Sequence, residues 1–479
     1  MAQHKKFDRA SILTTRSLPD VYRSIFEMAQ EFAILGHVQT ASTLISLLLS
    51  EGYSSKWNRW QIRYLKFAFA QANQWPEQIP PEERTEEVLR ETVPQMEAHL
   101  EQDEDTKDDA SKLETLLTHA ADEPFSDGTT GGAAMERSAA LADALSLAIK
   151  LASQDSSSLE EIERDPKVQE TLGLISKRLQ AHQQIEYVTE RRNVWPLLSS
   201  GALARKVPVD QAKVQALSKE AIETFTERLK CGRKQDSTEQ KSILDLLNEL
   251  EHNTTTNGMS FYIEADGEVP ETFFRLPPAS DQQIADLEKK LDVTLPEDYK
   301  EFLKTSNGFG GTWNGFYADP PLNPVHEVDW TEPYSEELPI ELHETPTGNM
   351  DIPCAMGREW NEWPLYEKVL QIGQEDVFAV WMLPPPETKK VVDAYNEAMG
   401  HPQVPEDMKR ETRNLIASKY GSWEEFENMS WVVVEMDEGR GHAHGSFKKF
   451  LEEKVRNSAT VSEREERSFA HSCRPDSVT

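Results

Sequence analysis

The sequence predicts an α+β protein: a helical N-terminal region, then a C-terminal module whose bent antiparallel or mixed sheet carries helices on one face. Three observations predict this. Before about residue 250, apolar side chains recur at spacings of three and four, the helical period. After Ser260, short β-rich runs bounded by Gly, Pro and Asn appear. Between those runs lie two closely spaced helices, each opened by a capping signal.

Residues 1–100 are predicted to form a helical hairpin-type domain. Ile25, Ala29, Phe32 and Leu35 share one helix face, Gly36 interrupts, and a second apolar run covers Val38–Leu49. Residues 101–137 are predicted to be a linker. Its first part is an acidic run, EQDEDTKDD, without apolar anchors, and its later part, DEPFSDGTTGGA, is rich in Gly, Ser and Thr. A second helical block is predicted over 138–251. Ser158 with Glu161 marks a capped helix start, and Val168–Tyr187, Ile222–Leu229 and Ile243–Leu250 supply apolar faces. The module is predicted over 258–456, with a helical insertion at 387–428, and the tail 457–479 is predicted to be disordered.

In the module, Phe261–Glu264 and Phe273–Leu276 predict a hairpin across Asp266-Gly267. Ser280 with Gln283 caps a helix burying Ile284, Leu287 and Leu291. Thr294 with Glu297 opens a second helix, Pro296 being tolerated in its first turn, and Tyr299, Phe302 and Leu303 face inward before Asn307-Gly308 stops it. Val377–Leu383 and Trp431–Val434 predict further strands, and Ser446–Leu451 a closing helix.

The 479 residues carry a formal net charge of −33. Such a field repels phosphate backbones, which argues against nucleic acid as a partner, and attracts proteins with basic surfaces. Cys231, Cys354 and Cys473 lie too far apart for a disulfide framework or a paired-cysteine metal site, which predicts a reducing compartment. No apolar run is long enough for a signal peptide or a membrane span, Thr43–Leu49 included. The expected location is the cytoplasm, with the nucleus as the alternative, and no membrane association is expected.

The ordered run Leu276–Gly308, LPPASDQQIADLEKKLDVTLPEDYKEFLKTSNG, resembles the opening of SUKH superfamily domains of the Smi/Knr type. The later pieces follow in the family's order: WPLYEKVLQIG at Trp363–Gly373, resembling a strand that leads into an Ile-Gly turn, then the strand Val377–Leu383, and the closing Ser-Phe helix at Ser446–Leu451. The resemblance covers roughly residues 261–455. It implies a small α+β fold that serves as an interaction module, as an immunity protein against toxins in bacteria or as a scaffold in cell-wall synthesis and signalling in fungi. The long helical N-terminal half and the acidic linkers resemble the fungal multidomain form. The insertion and the long loop Gly311–Asn349 depart from the family and put any particular partner in doubt.

Tryptophans and tyrosines ringed by acids suit a protein-binding surface, because rigid rings bury large area at low entropic cost. Trp313, Phe316, Tyr317, Asp319, Asp329, Trp330 and Trp360 are therefore the candidate partner-binding residues, while Trp363 is expected in the core. Gly441-His442-Ala443-His444-Gly445 puts two imidazoles on one side of an extended segment, with His326, Glu327 and Asp329 as the nearest further ligands. A Gly-rich turn with solvated histidines explains the same residues more simply. Ser446 stands where a helix N-cap belongs, and no phosphate loop or catalytic triad signature is present. No enzyme class, metal or cofactor is expected. A non-enzymatic scaffold is expected, with an inhibitor of a basic toxin or nuclease as the alternative.

Overall fold

The structure is a computed structural model. It describes residues 7–50, 62, 64–91, 108–121, 131–155, 158–180, 186–207, 210–259, 274–315, 317–332, 351–358, 362–365, 367–437 and 440–459. The chain divides into two compact units, Met1–Arg233 and Lys234–Thr479.

In the N-terminal unit every described element is helical. Helices Leu18–Ile34 and Val38–Ser50 form the predicted hairpin, and Gly36 turns the chain between them at φ +83°. A Cβ at Gly36 would sit 2.9 Å from the backbone of Gly201, so glycine is required for both the turn and the close approach. The region predicted as a linker contains a helix, Asp109–Ala121, which packs against the long helix Gly131–Asp155. Its Leu113, Leu117 and Ala120 are buried at helical spacing, so the apolar positions override the acidic flank. Residues 122–130 lie outside the described residues. Inside the unit, Arg191 is buried on Asp143 at 2.6 Å, and the Trp195 indole donates to the Thr189 carbonyl.

The C-terminal unit has eight helices and five strands among its described residues: α1 (Ile243–Asn257), α2 (Asp281–Leu291), α3 (Glu297–Thr305), β1 (Asp329–Thr331), α4 (Asp351–Ala355), β2 (Val369–Glu375), β3 (Phe378–Leu383), α5 (Pro385–Gly400), α6 (Glu406–Tyr420), α7 (Trp423–Glu427), β4 (Val432–Asp437), β5 (Arg440–His444) and α8 (Phe447–Ser458). The sheet is an antiparallel meander in the order β1-β2-β3-β4-β5. The predicted hairpin strand Phe261–Glu264 lies outside the described residues.

Local chemistry sets these elements. Ser280 and Gln283 form a complete capping box at α2, and Asp292 ends that helix in the left-handed region. Leu370, Ile372, Val380, Met382 and Val433, one side of the central strands, join Leu287, Tyr299, Phe302, Phe447, Phe450 and Leu451 in one apolar core. The strand β3 is also buried on its opposite side through Ala379 and Trp381. The inserted helices α5–α7 contribute further buried apolar residues, among them Val391, Tyr395, Ile416 and Phe426.

Two boundaries differ from the sequence reading. Helix α1 belongs to the C-terminal unit, because Ile243, Leu246, Leu247 and Leu250 bury into its core. Asn257 and Asn253 also bond Ser458 at the end of α8, and Arg456 pairs with Asp236 at 2.6 Å. The module therefore begins near residue 234 rather than 258, and a boundary at 251 cuts α1. The Ile372-Gly373 pair, expected as a turn, lies inside β2 at a bulge. A Cβ on Gly373 would meet the Pro321 carbonyl at 2.7 Å, so the glycine admits the neighbouring segment at the sheet, and the turn falls later at Asp376, φ +52°.

Candidate functional site

Three features of the C-terminal unit hold polar or exposed side chains in defined positions: a buried charged cluster, the aromatic loop, and a groove beside the inserted helices.

The cluster centres on Lys454 of α8. Its ammonium lies 2.8 Å from Oδ2 of Asp319 and also pairs with Glu435 of β4, and Glu435 in turn meets Nε2 of His444 on β5 at 2.9 Å. Asn314 donates to Asp319 at 2.9 Å. Burial opposes ionisation of Glu435, yet Lys454 and then His444 outweigh it and hold the carboxyl down at about 2. Burial pushes the Asp319 carboxyl up, against the pull of Lys454, and drives His444 towards its neutral form. Burial lowers Lys454, but the two carboxylates overcome it and raise the amine above its ordinary value. The cluster ties the 312–319 loop, β4, β5 and α8 together. Its chemistry is that of a structural ion-pair network, with all four groups committed to one another.

The predicted partner residues separate into different environments. Trp313 is buried, against expectation: its ring covers Gly258 at the end of α1 and its amide donates to Thr254. A Cβ at Gly258 would lie 2.7 Å from that side chain, so the glycine makes the seat for the indole. Asp319 is likewise interior, held by Lys454. Neither presents its side chain to a partner. Tyr317 packs on Phe378 with ring centres 5.0 Å apart and the planes tilted by 35°. Asp329 is exposed and pairs with Lys290 at 2.9 Å, which holds its carboxyl below the ordinary value. Trp330 is half-buried: its indole donates to the Leu291 carbonyl at the end of α2, and Lys368 lies over its ring at 4.2 Å. Phe316 and Trp360 lie outside the described residues, and Trp363 is buried against Tyr395 as expected. His444 is occupied by Glu435 rather than solvated, and His326 pairs with its neighbour Glu327 at the surface. Among the described residues no group of three or more His, Cys, Asp or Glu side chains is arranged so that it could hold a metal ion.

The groove has a volume of about 880 Å³ and is built where the frame of the sheet module meets the insertion. From the frame come the α2–α3 connection with Leu295, Pro296, Glu297 and Asp298, and the start of α8 with Gly445, Ser446 and Phe447. The insertion and its return to β4 supply Pro385, Pro386, Tyr420, Glu425, Met429 and Trp431. Tyr420, Phe447 and Trp431 are buried beneath it, Val293, Pro296, Pro385, Pro386 and Met429 give it an accessible apolar lining, and Glu425 and Glu297 stand exposed at the edge. A Cβ on Gly445 would meet the Tyr420 ring at 2.9 Å, so this glycine lets the insertion close onto the frame. Lys449 fixes the same junction by donating to the Tyr420 carbonyl.

Helices α3, α5 and α8 begin at the groove, and helix starts attract anions. The first turn of α8 is already served: Ser446 accepts from the Lys449 amide and Asp298 from the Lys448 amide at 2.9 Å. What remains open is an apolar trough edged by carboxylates.

Residues 278–392 match the model of the SMI1 / KNR4 family (SUKH-1). The C-terminal unit thus carries a SUKH-1-type domain over a segment that runs from the start of α2 into α5. The match stops inside the insertion, which separates β4, β5 and α8 from the matched stretch. Among curated proteins, the chain is similar to the uncharacterized protein YnaB of Bacillus subtilis (strain 168), 60% identical over 37 residues. That stretch is 8% of this chain and 26% of YnaB, so the chain spans about a quarter of the relative's length. No solved structure matches.

Sequence reasoning missed Lys454 and Glu425. The signal for Lys454 was present: Phe447, Phe450, Leu451 and Val455 define the apolar stripe of α8, and a lysine on that stripe must find a buried partner. Glu425 gave no such signal among so many carboxylates.

Proposed function

We propose that the protein is a non-enzymatic scaffold whose C-terminal unit binds a protein partner with a basic surface. The observation that carries this reading is the groove: an apolar lining with Val293, Pro296, Pro385, Pro386 and Met429 open to solvent, edged by carboxylates. Accessible apolar surface rimmed by charge is the usual composition of a protein-binding site. The overall charge of −33 favours encounter with a basic partner and suppresses binding to nucleic acid. By resemblance to the fungal Smi/Knr branch, the process is regulation of cell-wall assembly or stress signalling, in the cytoplasm or nucleus. The alternative, favoured by the same acidic edge, is stoichiometric inhibition of a basic toxin or nuclease.

The test is affinity purification of the tagged full-length protein from its own cells, beside a Glu297→Lys, Glu425→Lys double variant. The reading expects a basic protein at near-equal stoichiometry, released by salt and lost from the variant. Wall-synthesis or signalling proteins indicate the scaffold, and a nuclease indicates the inhibitor. Recovery of no partner, or equal recovery by the variant, would sink the reading.

A further inference from the structure

We infer that the groove recognises an extended segment carrying an arginine or lysine beside apolar side chains, and that Glu425 is the carboxylate that receives the cation. This rests on the reading of the groove as a protein-binding site.

Glu425 is the third residue of α7, whose cap Ser422 accepts from the Glu425 amide at 3.0 Å. One residue before that cap, Gly421 adopts φ +110°, and the Glu425 carboxylate folds back over its Cα. A Cβ at position 421 would meet Oε2 of Glu425, so the carboxylate lies against the Gly421 backbone, exposed at the edge of the groove.

The other carboxylates of the wall are already committed. Asp298 takes the Lys448 amide, and Glu297 pairs with Lys300 at 2.6 Å. No hydrogen bond or ion pair among the described residues uses the Glu425 carboxylate. The lining holds Glu297, Asp298 and Glu425 against Lys449 alone, and Lys449 is turned to the Tyr420 carbonyl. An uncommitted carboxylate beside an apolar groove selects a cation whose neighbours are apolar. The neighbours pack on Pro296, Pro385, Pro386 and Met429 while the cation meets Glu425. Glu425, Gly421 and Tyr420 all belong to the insertion, so this specificity is a property of the inserted helices.

The probe is a pool of octapeptides with a central arginine flanked by leucines, its other positions randomised among neutral residues. A matched pool carries citrulline, an uncharged isostere, in place of arginine. The immobilised full-length protein is expected to retain the arginine pool about tenfold better than the citrulline pool, as a charged hydrogen bond implies. Glu425→Gln is expected to abolish that preference, and Gly421→Ala to weaken it by displacing the carboxylate. Glu425→Gln lies on an exposed position, and an unchanged thermal midpoint for that variant confirms that folding is intact. Equal retention of the two pools, or a preference that survives Glu425→Gln, overturns the inference. If the double lysine variant loses a protein partner while Glu425→Gln keeps it at full affinity, the groove still binds protein and only this inference fails.

Discussion

Lys454 Nζ and Asp319 Oδ2 lie 2.8 Å apart with both side chains almost wholly buried, the lysine on the last helix and the aspartate in the loop that precedes the sheet. This pair joins segments more than a hundred residues apart and converts Asp319, which composition marks as a surface acid, into part of the interior. Breaking one side of such a pair is costly because an unpaired charge stays buried. Lys454→Met is expected to destabilise the C-terminal unit by about 3–5 kcal/mol. The combined Lys454→Met, Asp319→Asn, Glu435→Gln change is expected to cost less than the single one. Urea unfolding of the parent and the two variants checks this, and a triple variant less stable than Lys454→Met would contradict it.

The same cluster gives a pH dependence with a definite sign. Burial depresses His444, so its contribution to stability is complete above its ordinary value of 6.5 and is lost as pH falls below that. Glu435, also depressed, adds a further loss between its ordinary value of 4.5 and about 2. Asp319 is raised and works in the opposite direction, its stabilising contribution growing as pH falls. His444→Gln keeps a donor for Glu435 but removes the titration. Protection against hydrogen exchange at β5 and α8, taken relative to the intrinsic rate at each pH, is expected to fall between pH 7 and 5 in the parent protein and less so in His444→Gln, since Asp319 and Glu435 are common to both. An equal loss of protection would remove His444 from the account.

Trp313 is expected to act through folding. Trp313→Ala should cost about 3–5 kcal/mol by leaving a cavity over Gly258. Gly258→Ala should cost about 1–3 kcal/mol by overpacking the same place. Trp330→Phe removes one indole hydrogen bond to Leu291 and should cost about 1 kcal/mol. Thermal denaturation read at the C-terminal unit orders the three, and a Trp313→Ala protein as stable as the parent would contradict the burial assigned here.

The extent of the module is also testable. A fragment beginning at residue 258 lacks α1 and leaves the places of Ile243, Leu246, Leu247 and Leu250 open. At ~1.5 kcal/mol or more for each such side chain, the loss of about 6 kcal/mol is comparable with the whole stability of a domain. A fragment beginning at residue 234 is expected to melt cooperatively and the shorter one not to. Equal melts would place the boundary back at 258.

Much of this unit was legible in its residues. The Ser280 capping box and the stop near Asn307-Gly308 are local signals that the structure keeps, whereas the Thr294–Glu297 box does not form, Pro296 taking the cap position with no side-chain bond. The strands around Val377–Leu383 and Trp431–Val434 were legible as apolar runs, and they pair with each other across the sheet. The candidate site was far less legible. Aromatic residues in an acidic loop look alike whether they face solvent or the core, and only the glycine at 258 and the lysine at 454 decide for Trp313 and Asp319. Both partners lie at least fifty residues away in sequence, where no periodicity links them. The groove depends on Gly445 admitting Tyr420 from the insertion, a long-range fit that the spacing of residues does not encode.

The central claim, that the groove is where a protein partner binds, is tested most directly by a photo-crosslinker. A benzoylphenylalanine placed at Asn428, on the exposed groove wall, is irradiated in the full-length protein within its own cells. A second protein carries the same group at Leu276, exposed elsewhere on the unit. The account predicts one dominant adduct to a basic protein from position 428, diminished by Glu425→Lys, and none of that species from position 276. Absence of an adduct at 428, or the same adduct from both positions, would contradict it.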